Sequence, residues 1–119
     1  MTFEEYIAER LELPFVWGQN DCVLFAIGWL NIRTGKNWLA PLPPWSTAKE
    51  AMRIVQQIGG LEREFDRRLC RVNPGVARNG DITLINRRAL LFCGPHIVGP
   101  GPAGLAFFNR TKATCAWSC

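Results

Sequence analysis

Phe15-Val16-Trp17-Gly18-Gln19-Asn20-Asp21-Cys22 is the stretch on which the fold turns. An aromatic and glycine turn leads into an Asx pair and a cysteine. An unbroken apolar run follows: Val23, Leu24, Phe25, Ala26 and Ile27. Asn20 or Asp21 can accept hydrogen bonds from the orphan N–H groups in the first turn of a helix. Val23, Leu24, Phe25, Ile27 and Leu30 are apolar nearly all round that helix, which marks it as the central buried one, running to about Asn31 or Arg33. Thr34-Gly35 closes it, because glycine accepts the left-handed conformation at a helix end. Cys22 therefore falls on the first helical turn. Partial positive charge and unpaired N–H groups there favour thiolate over thiol, the environment a nucleophilic cysteine needs.

Working outward, Thr2 with Glu5 forms a capping-box pattern for a helix over roughly Phe3 to Leu11, before Pro14. After the central helix, Trp38, Pro41, Pro43, Pro44 and Trp45 predict an ordered loop wrapping the core. Thr47 with Glu50 repeats the capping pattern for a third helix that Gly59-Gly60 stops, and a more polar helix covers about Leu61 to Leu69. Beyond Pro74-Gly75 the period changes. Residues 81–85, 89–92, 96–98, 105–108 and 113–117 are short apolar runs separated by turn residues, the pattern of strands in a small antiparallel sheet or barrel. Helices first and strands second predict an α+β fold, with the Cys22 helix packed on the sheet.

With 119 residues, 48% hydrophobic and 20% charged, the chain reads as a single domain spanning residues 1–119. No apolar run approaches the roughly 20 residues of a membrane span, and the acidic start Met1 to Glu5 predicts no secretion signal and a cytoplasmic product. The net charge of +4 is dispersed apart from Arg67-Arg68, Arg71 and Arg87-Arg88. That pattern reads as solvated surface first, and as a contact for nucleic acid or anionic cell-wall polymer second. Five cysteines (Cys22, Cys70, Cys93, Cys115, Cys119) are an odd number without CxxC spacing, against both a disulfide framework and a zinc ribbon. The late Cys115 and Cys119, with Cys93 or Cys70, leave a metal or iron–sulfur reading open.

The layout resembles the NlpC-type branch of the papain-like cysteine peptidases, bacterial and phage cell-wall endopeptidases. Phe15, Trp17 and Gly18 match that family's turn, Asp21-Cys22 its nucleophile pair, and Gly80-Asp81 before Ile-Thr-Leu-Ile its strand entry, over roughly residues 13–108. Closer still is the likeness to small NlpC-like proteins encoded in phage and prophage tail modules. It rests on residues 15–22, Thr34-Gly35 and Gly99-Pro-Gly-Pro-Ala-Gly-Leu105. This resemblance implies a papain-like fold and a tail-tip or tail-assembly protein. Such a protein is made in the bacterial host cytoplasm, built into the virion tail, and in contact with the tail hub and tape-measure region. It implies no cofactor.

In the active peptidases the catalytic histidine opens the strand after Gly-Asp. Here that position corresponds to about Arg88 or Ala89, and neither is a base. Phe15 also lacks the hydroxyl that the matching aromatic often carries. The first expectation is accordingly a degenerate, structural member. The alternative is an active thiol endopeptidase that cleaves peptidoglycan peptides during phage entry. Cys22 would then attack and His96, the sole histidine, would take the proton. Asp81 or Asn86 would orient the ring, and backbone N–H groups with the Gln19 amide would hold the oxyanion. A third reading has Cys93, Cys115 and Cys119 bind a metal or cluster in a tail component.

Overall fold

A computed structural model describes residues 1–40 and 42–119. Pro41, within the loop expected to wrap the core, lies outside the described residues. Four helices come first: α1 (Phe3–Arg10), α2 (Cys22–Thr34), α3 (Ala48–Gln57) and α4 (Leu61–Arg68). Six strands follow: β1 (Cys70–Val72), β2 (Ile82–Ile85), β3 (Arg88–Cys93), β4 (His96–Gly101), β5 (Gly104–Asn109) and β6 (Ala116–Ser118). They form one antiparallel sheet in the order β1-β6-β2-β3-β4-β5. The α+β arrangement is as expected, and the choice between sheet and barrel resolves to an open sheet with β1 and β5 at its edges.

The helices form where their caps dictate. Thr2 and Glu5 complete a reciprocal capping box at α1, Asp21 caps α2, and Gly35 ends α2 in the left-handed conformation (φ 71°). The Phe25, Ala26, Trp29 and Leu30 side chains of α2 are buried with Ala89 and Leu91 of β3 and Val98 of β4. Each fully buried large side chain contributes about 1.5–3 kcal/mol. The Tyr6 hydroxyl donates to the Phe25 carbonyl, tying α1 to α2. A Cβ at Gly28 would stand 2.6 Å from that hydroxyl, so the approach of the two helices requires glycine there.

The opposite sheet face carries a smaller core of Ala77, Leu90, Phe92, Ile97 and Ala116. Arg110 covers it, donating to the carbonyls of Gly94, Pro74 and Ala77 with its guanidinium 5.0 Å from the Phe92 ring centre. The loop after α2 is pinned at Trp38, whose backbone N–H donates to Asn31 and whose indole donates to Thr34.

Two strands differ from expectation. β1 is not legible as a strand because Cys70 and Arg71 are exposed and show no alternation; pairing of Cys70 to Ser118 and Val72 to Ala116 creates it. The last strand begins at Ala116 rather than 113, since the chain turns through a 3-10 helix at Arg110–Lys112 and Ala113 packs under the second core.

Candidate functional site

The site is built on the turn before α2. Val16 and Asn20 form an antiparallel bridge, and the Asn20 amide donates to the Leu13 and Pro14 carbonyls. Gly18 takes φ 76°, and a Cβ there would lie 2.0 Å from the Trp45 carbonyl oxygen, so glycine is obligatory on both counts. Asp21, 1% exposed, gathers three donors. Its Oδ1 accepts from the Leu24 N–H at 3.0 Å, and its Oδ2 from the Gly18 N–H at 2.9 Å and the Trp45 indole at 2.7 Å. One carboxylate thus fastens the turn, the helix start and a loop 24 residues away. Both its oxygens are engaged in structure.

Cys22 sits at the head of α2, partly buried against the main core. Burial pushes its thiol above the ordinary range, and the Asp21 carboxylate adds to that rise. The backbone N–H groups of Ala89 and Val23 and the Arg88 charge pull the other way and do not prevail. The expectation that the helix start favours thiolate is therefore corrected. Desolvation of the sulfur outweighs the helix-terminal and guanidinium stabilisation of the anion.

The other proposed catalytic groups lie elsewhere. Asp81 is buried. Its Oδ2 accepts from the Arg78 N–H at 2.8 Å, and its Oδ1 stands 3.6 Å from Arg33. Arg33 lies eleven residues along α2 from Cys22, which at 1.5 Å per residue is about 16 Å. His96 is exposed, faces Phe107 edge-on at 5.7 Å, and pairs across the ladder with Cys93. Cys93 is four residues from Ala89, about 13 Å at strand spacing. Gln19 is exposed and is not among the residues lining the groove at Cys22, and Asn86 occupies a tight turn with φ 49°. The structure brings Cys22 together with Arg88 and Ala89 and leaves His96 and Asp81 apart from it, while Gln19 stands exposed in the turn three residues before it.

The metal reading fails in the same way. Cys93 ends β3, Cys119 follows β6, and the Cys115 thiol lies 3.9 Å from the Leu84 carbonyl, which it faces as a weak donor. Among the described residues no three His, Cys, Asp or Glu side chains converge as a metal site.

Cys22 instead opens onto a groove of about 1150 Å³. One wall is α3 and α4, with Met52, Val55, Leu61 and Arg63; the other is the β2–β3 turn at Arg87 with Cys115 and Trp117. The Arg87-Arg88 pair reads in the sequence as solvated surface, and no local signal tells that Arg63 and Arg87 border one groove. Trp45 as the third donor to Asp21 is likewise a contact that only the folded chain discloses.

These features define a compact α+β domain with a helix-headed thiol lining an open groove. The chain belongs to the family described as Domain of unknown function (DUF6950), whose model matches residues 1–119. No curated protein and no solved structure matches it. No helix among the described residues is long and apolar enough to cross a membrane.

Proposed function

We propose that this chain is a non-hydrolytic, NlpC-like component of a bacteriophage tail, a tail-tip or tail-assembly protein that works by holding neighbouring tail proteins. One observation carries the non-hydrolytic part. The only histidine and the proposed orienting carboxylate stand far from Cys22, while burial keeps that thiol protonated. A thiol without a base in hydrogen-bond reach has only a small free thiolate fraction at neutral pH and no partner to carry its proton through the reaction. The tail assignment is supported by the run from Phe15 to Cys22, by Thr34-Gly35 and by Gly99 to Leu105, whose order and spacing are those of the small tail-module proteins.

The test has two arms. Purified protein incubated with peptidoglycan stem peptides should release no fragments, and a phage carrying Cys22→Ala should assemble infective tails. Deleting residues 1–119 should yield tail-defective particles. Peptide cleavage that Cys22→Ala abolishes would overturn the non-hydrolytic reading; intact, infective particles after the deletion would overturn the tail reading.

A further inference from the structure

The charges around the groove are unevenly spent. Glu62 and Asp66, the two carboxylates lining it, are both bound to Arg71, at 2.6 and 2.7 Å. Asp66 also accepts the Trp117 indole N–H at 2.9 Å. Arg63 on α4 and Arg87 at the β2–β3 turn both line the groove, and neither has a salt-bridge partner among the described residues. The rest of the lining is mostly apolar (Val23, Met52, Val55, Leu61 and Leu84), with Gln56 and Thr114 as its neutral polar members. The groove therefore offers two uncommitted guanidiniums and no uncommitted carboxylate.

Arg87 also occupies a place that its backbone does not favour. Asn86 and Arg87 take φ 49° and 66°, the two-residue hairpin turn in which asparagine followed by glycine is the unstrained choice. A side chain held in the left-handed region costs conformational energy that glycine would avoid. The hairpin would form more readily without this arginine, so its side chain needs a reason outside the turn.

We propose that this groove docks an extended acidic segment of a partner protein, its apolar side chains on the floor and its carboxylates on Arg63 and Arg87. The inference rests on the reading of the chain as a non-hydrolytic holding protein, and names what it holds. Guanidinium groups suit carboxylates through paired N–H donors, and the apolar floor selects a peptide over a bare polyanion.

The experiment uses the full chain and two blocked heptapeptides, one alternating Glu and Leu, the other Gln and Leu. Polyphosphate is the third probe. Binding is followed by tryptophan fluorescence and by protection of Cys22 from iodoacetamide. The Glu peptide should bind, protect Cys22 and weaken with added salt, and the Gln peptide should bind about tenfold less tightly. Arg63→Gln and Arg87→Gly should each weaken the Glu peptide by about three- to fivefold. Arg87→Gly should melt at or above the wild-type temperature, so a loss of binding there cannot be laid to misfolding. Equal binding of the two peptides, unchanged affinity in both variants, or no protection of Cys22 would each overturn the proposal. Polyphosphate that matches the Glu peptide would overturn it in favour of a polyanion site. Hydrolysis of either peptide, lost in Cys22→Ala, would instead sink the holding-protein reading beneath it.

Discussion

The two ends of α2 hold different chemistry. At its head lie a thiol, a capped carboxylate and backbone N–H donors; at its tail, Arg33 meets the buried Asp81. In a working thiol hydrolase, nucleophile, base and orienting acceptor share one point. Here the same residue types are spread over the head of α2, the residue before β2 and the start of β4. Possessing the right residues is thus a weaker statement than placing them. The head of α2 is well built as structure, since both side-chain oxygens of Asp21 are used.

The most disruptive way to probe the head is Asp21→Ala. It removes the helix cap and strands the half-buried Gly18 and Trp45 donors, and should cost about 2–4 kcal/mol in denaturant unfolding. Gly18→Ala should cost about 2–3 kcal/mol, because its Cβ would collide with the Trp45 carbonyl in a left-handed backbone.

Moving an imidazole to the head sharpens the contrast between the two ends. Arg88→His should raise Cys22 alkylation at neutral pH by about tenfold, since imidazole beside a thiol is the commonest way to make thiolate. An unchanged rate would mean that burial alone governs the sulfur. The raised thiol pKa also sets the pH dependence. The unfolded thiol ionises first, so stability is intact below its ordinary value, about 8.5, and declines as pH climbs above it. Cys22→Ala should flatten that alkaline decline. The smallest expected effect is that of His96→Ala, which should leave Cys22 alkylation within about twofold, as an exposed side chain remote from the sulfur.

What the sequence discloses and what it hides divide along the same line. The caps at Thr2, Asp21 and Thr47 and the glycine stop at Gly35 are local signals, and α1, α2 and α3 start where those caps place them. The first four predicted strands are legible from short apolar runs between turns, with boundaries shifted by one to three residues. β1 escapes notice because it exists only through its partner, some 46 residues on, in the Val72–Ala116 to Cys70–Ser118 ladder. Cys22 is legible as a helix head for the same local reason. Its reactivity is not, since that depends on burial against β3 and on where His96 and Asp81 arrive in space. Those are tertiary facts, carried by no spacing along the chain.

The sheet order has a consequence for biosynthesis. β6 lies between β1 and β2, and Trp117 within it is fully buried against Phe65. Nothing made before residue 116 can fill that gap, so β1 has no strand neighbour until residues 116–118 have been made. The helices and the β2-to-β5 meander can assemble as they emerge, but the α4–β1 flank must wait for residues 116–118 to leave the exit tunnel. Folding of this domain is therefore completed only once that last strand has emerged, by a closing step at one flank of the sheet.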